Sequence, residues 1–252
     1  LRDGHVGSTM TRPERLRLRS GRQPPTRRRL HCTVPSPILS WSSNTVKIVY
    51  LILAHNAPNH LSRLVRALDS SNASFLIHVD RKSDISPFRD RLSQPNLTFL
   101  ENRVSVYWGQ FSIVQASINL IREALNLTPH PNYFCLLSGS DYPLRRPRYI
   151  EAFFSRNQGC EFINLVPMPC DAVGKRLVRL QEYRLQTPND SRFVGRAVAR
   201  LNDLINDRLR LRRDYERVFK GLLPYAGSQW WTLTKDACRY ILSFIDSRPD
   251  MV

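Results

Sequence analysis

The chain lacks most of the short signatures by which enzymes hold phosphate or activate a nucleophile. It has no Walker loop and no GxGxxG, so no glycine-rich loop is available to cradle a phosphate. No serine sits in a GxSxG elbow. No histidine pair has metal spacing, and Cys32, Cys135, Cys160, Cys170 and Cys238 form neither a CxxC nor a zinc pattern. The odd cysteine count argues against a complete disulfide framework. A Cys160–Cys170 pair is open but unforced. Cys135, inside an apolar run, reads as a small core residue. Long hydrophobic stretches are missing too. The longest uninterrupted one, Ile48 to Ala54, falls far short of the ~20 residues a bilayer span needs.

Acidic residues are scarce beside basic ones. The 252 residues carry a net charge of +17, which invites a nucleic-acid or acidic-membrane reading. Its distribution is uneven. Residues 1–45 hold nine Arg and no Lys against Asp3 and Glu14. Residues 175–220 hold thirteen Lys or Arg against six acids. The remainder is close to balanced, which counts against nucleic acid as a partner. The Arg-rich stretch "TRPERLRLRSGRQPPTRRRLHC" fits a targeting peptide, a tail for an anionic surface, or disorder, and disorder is the preferred reading. The first residue is Leu, so the chain reads as a fragment, a processed form or a misassigned start, with Met10 an alternative beginning. Asn72, Asn96, Asn126 and Asn189 each open an Asn-x-Ser/Thr site, relevant only to a secreted chain.

What is present is an alternation of strands and helices after residue 45. "VKIVYLILAHN" (46–56) reads as a buried strand. Leu61, Leu64, Val65 and Leu68 then give one apolar helical face, with Asn59 as the expected N-cap. "ASFLIHVD" (73–80) is a second strand, and short strands are expected at Phe99-Leu100 and near Val104–Tyr107. Val114, Ile118, Ile121 and Leu125 mark a second helix, with Ser112 and Gln115 as a capping box. "NYFCLLSG" (132–139) is the third strand, "RPRYIEAFFSRN" a helix, and "CEFINLVP" (160–167) a fourth strand. Residues 174–220 are helical and Arg-rich, broken at Thr187-Pro188. A short strand and a helix close the chain, with Thr234 as cap and Ala237, Tyr240, Ile241, Phe244 and Ile245 on the apolar face. This order predicts an α/β fold with a mostly parallel sheet flanked by helices.

Ligands in such sheets bind at the carboxyl ends of the strands. Three strands end there in polar residues: His55-Asn56, then Asp80, then "SGSD" from Ser138 through Gly139 to Asp141. Each alone is as readily a cap or turn; together they point to one cleft. His55 and His78 read individually as hydrogen-bonded structural histidines. "WGQ" at Trp108-Gly109 offers a flat face for a base or sugar, a core Trp being the alternative. In "GSQWW", from Gly227 and Ser228 to Trp230 and Trp231, one indole is expected in the core and the other toward the cleft.

The blocks "VYLILAHNAPNHLSRLVRAL", "FLIHVDRKS", "WGQFSIVQASINLI", "YFCLLSGSDYPL" and "GSQWWTLTKDACRYIL" resemble, in that order, the core-2/I-branching enzymes. That glycosyltransferase family includes β-1,6-N-acetylglucosaminyltransferases and peptide O-xylosyltransferases. The resemblance runs from about Val46 to Val252 and leaves the basic tail, 1–45, outside the transferase domain. It implies a GT-A-like, Rossmann-type sheet and an inverting enzyme that needs no metal and no cofactor beyond its UDP-sugar donor. In agreement, neither Asp80 nor Asp141 is part of an Asp-x-Asp. Basic side chains would then balance the diphosphate.

The resemblance assigns Asp80 to the uridine, with Ala54 and His55 nearby, and sets Trp108 and Gly109 on the nucleotide side. Ser138, Gly139 and Asp141 would border the donor sugar. Gly227, Ser228, Trp230 and Trp231 would shape the junction with the acceptor, a glycan or protein hydroxyl. The family's base resembles a Glu in a Pro-Asp-Glu segment. Here "SRPDMV" has Met251 after Asp250, so the expectation is a C-terminally truncated chain with Asp141 as the best remaining carboxylate. Binding without transfer is the first alternative, and a basic nucleic-acid-binding protein the second. The basic segments also fit an anionic membrane surface. Eukaryotic relatives are Golgi membrane proteins, and a bacterial one would need no anchor, so membrane-associated and cytoplasmic locations both stay open.

Overall fold

Seven consecutive apolar residues, β1 (Ile48–Ala54), form the middle strand of the main sheet, and six of the seven are buried. A strand can be apolar on both faces only where both are covered, as they are here. The computed structural model describes residues 45–107, 109–183, 185 and 192–249. The Arg-rich stretch, Asn189, Thr187-Pro188, Asp250 and Met251 lie outside the described residues. After β1 come α1 (Pro58–Leu68), β2 (Ala73–Val79), α2 (Ser86–Arg89), β3 (Leu97–Phe99), α3 (Phe111–Leu125), β4 (Tyr133–Ser138) and α4 (Pro147–Arg156). The second half holds β5 (Leu165–Pro167), α5 (Val178–Gln181), α6 (Arg192–Asp203), α7 (Tyr215–Phe219), β6 (Tyr225–Gly227), β7 (Thr232–Thr234) and α8 (Lys235–Ser247).

The five-stranded sheet has the order β3-β2-β1-β4-β7. The β1–β2, β1–β4 and β2–β3 pairs are parallel, and β7 joins β4 antiparallel. On one face, Ile48, Tyr50, Ile52, Phe75 and Ile77 pack against Leu61, Leu64 and Val65 of α1 and Phe154 of α4. On the other, Val49, Leu51, Leu76, Phe134 and Leu136 meet α3 and α8. Each buried Leu, Ile or Phe in these layers contributes about 1.5–3 kcal/mol by leaving water. The expected α/β class with a mostly parallel sheet is what the chain adopts.

Several local expectations fail, each for a physical reason. The N-cap of α1 is Ala57, in a left-handed conformation (φ 52°), not Asn59. Pro58 fixes the first helical φ, so the helix starts there. Asn59 falls inside the first turn and accepts from Arg91 Nε at 2.5 Å. Ser112 and Gln115 make no capping box. The Ser112 hydroxyl instead accepts from the Tyr107 amide at 2.8 Å, and Gln115 donates to Asn119. The inward face of α3 is built on Ala116, Leu120 and Ala124 beside Ile118 and Ile121, while Val114 is exposed. In α8 Tyr240 points to solvent, and Cys238 and Leu242 are the buried residues. Thr234 does cap α8, accepting from the Ala237 amide at 3.2 Å.

Residues 104–107 form no strand. Residues 160–167 add only a single bridge, Phe162 to Thr232, to the main sheet, and β5 pairs with β6 in a separate two-stranded sheet. Cys160 and Cys170 form no disulfide with each other. Cys135 packs against the first core layer, and burial pushes its thiol up to about 11, so it is a core residue and not a nucleophile.

Candidate functional site

The parallel strands β1, β2 and β4 end on one edge of the sheet. Because β2 and β3 lie to one side of β1 and β4 to the other, the strand order reverses between β1 and β4. Crevices form at such switch points. Ala54 and Gly139 face each other across this one. The Gly139 amide donates to the Leu53 carbonyl at 2.8 Å. A Cβ on Gly139 would stand 3.0 Å from the Ala54 Cβ, so the close approach of the two strand ends requires glycine. His55, next in line, is exposed, and its carbonyl accepts from the Ser83 hydroxyl at 2.7 Å.

Asp80 follows β2 and is buried at 6% exposure. Its amide donates to the Ala54 carbonyl at 2.7 Å, tying it to the end of β1. Its Oδ1 accepts from the Lys82 amide at 2.9 Å and the Val106 amide at 3.3 Å. Lys82 Nζ stands 3.6 Å from the other oxygen, Oδ2, donates to the Val106 carbonyl at 2.7 Å and lies 4.1 Å from the centre of the Tyr107 ring. One carboxylate oxygen is therefore spent on two loop amides, while Oδ2 faces a half-exposed ammonium. Arg103 reaches the Asp80 and Ser83 carbonyls at 3.4 and 3.1 Å and braces the same turn.

His78, two residues earlier on β2, is 1% exposed. Its Nε2 accepts from the Val104 amide at 2.9 Å, which places the ring proton on Nδ1. Burial is the largest influence on this imidazole and holds its pKa below the ordinary 6.5. The reading of His78 as a structural histidine fits this geometry. Together His78 and Asp80 clamp residues 104–106 over the end of β2. Gly109 lies just beyond, at φ 74°, a conformation that suits glycine. Trp108 lies outside the described residues.

Asp141 closes the turn after β4. Its Oδ2 accepts from the Ser138 amide at 2.8 Å, and its own amide donates to the Ser138 carbonyl at 3.0 Å. The Ser138 hydroxyl accepts from Ser140 at 3.1 Å. His60 on α1 donates from Nε2 to the Asp141 carbonyl at 3.1 Å. Arg63 lies 5.8 Å from the centre of the neighbouring Tyr142 ring. The carboxylate is first of all a turn-closing group, which answers to the bland reading of a polar strand end.

The "GSQWW" block reaches the same edge from β7. Because β7 is antiparallel to β4, with Cys135 opposite Thr232, the residues before Thr232 run alongside the carboxyl end of β4. Leu136 donates to the Trp231 carbonyl at 3.0 Å. Trp231 packs against the second core layer and Trp230 is 38% exposed, the division that alternation predicted. Gly227 has a different duty. A Cβ there would lie 2.1 Å from the Asn164 carbonyl oxygen, so glycine is needed for β6 to pair with β5. Ser228 accepts from the Trp230 amide at 3.1 Å.

Sequence reasoning passed over Lys82, Arg103 and His60. The signal for Lys82 was its place two residues after a strand-end Asp, where an aspartate commonly accepts from the i+2 amide. His60 carried no such signal, since it acts through a contact 81 residues away. Among the described residues, no three His, Cys, Asp or Glu side chains gather as a ligand set. A cavity of about 350 Å³ opens at the opposite, amino end of β4, lined by His130, Asn132, Tyr133, Gly159 and Lys235, and includes none of the predicted site residues.

A model of the Core-2/I-Branching enzyme family matches residues 48–251. The chain is similar to xylosyltransferase 1 of Rattus norvegicus, 24% identical over 210 residues, which cover 79% of this chain and 22% of that protein. It is similar to xylosyltransferase 2 of Homo sapiens at 24% over 231 residues, 84% of this chain and 24% of that one. The chain thus spans about a quarter of the length of the curated relatives it matches. Among solved structures, the 4-diphosphocytidyl-2C-methyl-D-erythritol synthase of Anaerococcus prevotii aligns over 79% of this chain and 76% of that one, at 8% identity and a TM-score of 0.36.

Proposed function

The chain belongs to the core-2/I-branching enzyme family, and from that premise we propose that it binds a UDP-sugar at the carboxyl edge of its sheet and serves an inverting, metal-independent glycosyl transfer. The observation that carries the reading is the meeting of four separated blocks at one strand-order reversal: Ala54-His55, Asp80 with its loop, Ser138–Asp141, and the approach to Trp230-Trp231. The names of the relatives favour xylose over N-acetylglucosamine as the sugar.

In this reading the uridine lies against Asp80, whose Oδ2 is the oxygen not spent on the loop. Gly139 lets the ends of β1 and β4 pack closely beneath the donor. Lys82 and Arg103 supply positive charge at the end of β2, where an anionic ligand gains from charge-assisted hydrogen bonds. Trp230, exposed beside the β4 turn, offers an aromatic face to a sugar ring. Transfer is one in-line displacement at the anomeric carbon: the acceptor oxygen bonds to that carbon, the bond to the UDP oxygen breaks, and a base takes the acceptor proton. Asp141 serves here as a positioning and binding residue, since one of its oxygens already holds the Ser138 amide.

The test is calorimetric titration of the 252-residue chain with UDP, UDP-xylose and UDP-N-acetylglucosamine, with and without EDTA. Binding in the micromolar range that EDTA leaves unchanged, and that Asp80→Asn weakens, is the expected result. Absence of UDP binding at about 1 mM, an affinity of only about −4 kcal/mol, overturns the reading. Binding without sugar transfer to any peptide acceptor keeps the site and discards the turnover.

A further inference from the structure

Helix α6 runs on into a π-helical turn, Leu204–Arg208, and two asparagines of this segment face inward. Asn202 accepts from the Leu185 amide at 2.8 Å and donates to the Leu185 carbonyl at 3.0 Å. One turn on, Asn206 accepts from the Tyr183 amide at 3.0 Å and donates to the Tyr183 carbonyl at 2.7 Å. These two amides match the peptide groups of Tyr183 and Leu185, so they fix the rotation of the segment about its axis. Asn206 is the only one of the two that is buried.

Val198 and Ile205 are partly covered, but three other apolar residues of the segment are left outward. Val194, Leu201 and Leu204 are 47%, 43% and 40% exposed. At positions i, i+7 and i+10 they form one stripe. Arg196 and Arg200, one turn apart and both exposed, flank it. Directly after it comes "RLRLRR", in which Leu209 and Leu211 are also exposed. Residues 192–220 hold nine Arg or Lys against four Asp or Glu.

We propose that the Val194–Leu201–Leu204 face of α6 and the turn that follows it, with its flanking arginines, docks the protein on an anionic lipid surface. Charge complementarity selects the occupant: a basic helix with exposed leucines between its cations is the pattern that lies in the headgroup plane of an acidic bilayer, leucines down and arginines at the phosphates. A nucleic acid would engage the arginines but gain nothing from the leucines. The proposal stands independently of the transferase reading.

Sedimentation with phosphatidylcholine vesicles, alone or with roughly a third phosphatidylserine, tests it. Binding to the acidic vesicles, little to the neutral ones, and release by high salt are expected. The double variant Leu201→Asp, Leu204→Asp should weaken binding to the acidic vesicles about tenfold or more. Its far-UV spectrum and melting temperature should stay unchanged, because neither side chain is in the core. In a second variant, Leu201→Trp, the emission should shift to shorter wavelength when acidic vesicles are added. Binding that ignores the leucine pair would assign it to the Arg-rich residues 1–45 and overturn the proposal. So would an absence of any indole shift. Self-association lost in the double variant without vesicle binding would make the face a contact between copies. Duplex DNA binding as tight as vesicle binding would reassign the arginines.

Discussion

The two halves of the chain use apolar residues in opposite ways. In β1, six of seven residues are buried. Between Ile163 and Tyr225 the one described residue that is buried is polar, Asn206. Both regions carry regular hydrophobic patterns, and α6 is as amphipathic as α1. The difference lies in what each pattern meets. The face of α1 finds the sheet, whereas the α6 stripe finds no covering surface among the described residues. Periodicity states which residues want to leave water; only a partner surface decides whether they do.

The largest effect that separates the halves is truncation of a side chain. Phe134→Ala, at a position with no exposure, should cost about 3–5 kcal/mol in urea denaturation. Leu223→Ala, 76% exposed, should stay within about 0.5 kcal/mol. Similar losses at both would erase the contrast. A finer separation comes from one chemical change made twice. Gly227→Ala drives a methyl into the Asn164 carbonyl and should destabilise by about 1–3 kcal/mol. Gly195→Ala, inside α6 with nothing within 4 Å of its new Cβ, should stabilise by about 0.5–1 kcal/mol.

Smaller still is a pH effect confined to the first region. The folded state holds His78 below its ordinary pKa of 6.5, so the unfolded chain binds the extra proton first. His78 therefore favours the folded state fully above about pH 6.5, and that contribution is lost as the pH falls toward the depressed folded value. The melting temperature should fall on acidification below that point, and more shallowly in His78→Gln. Asp80 and Arg103 face the ring with opposite influence, and an equal slope in both proteins would remove His78 as the cause. Least affected of all should be Arg122→Ala, which breaks an exposed pair with Asp246; a melting scan should register no change.

The strands were legible because each is a short continuous apolar run between turn residues, and the parallel order followed from their alternation with helices. Helix boundaries were less so. Asn59 has the chemistry of a cap, but Pro58 decides where the helix starts. The inward face of α3 was misjudged because Ala116 and Ala124, both at 0% exposure, carry little hydrophobic signal yet permit the closest approach to the sheet. Tyr240 was placed inside on its ring, and its hydroxyl end stays in water. At the site, spacing pointed to Asp80 and Asp141 as strand-end carboxylates. It had no means of showing that one oxygen of each is committed to backbone amides, because those partners are set by the loops that fold over them. The inward placing of Asn202 and Asn206 was invisible for the same reason, since their peptide partners at Leu185 and Tyr183 leave no pattern in the sequence.

The central claim is that the sugar nucleotide binds at the carboxyl edge, where β1 and β4 part. Amide hydrogen exchange of the chain with and without UDP tests it most directly. Slower exchange at residues 80–83, 104–107 and 138–141 on addition of UDP is the predicted result. Protection around His130, Gly159 and Lys235, at the cavity on the amino edge, with none at the carboxyl edge, would contradict it.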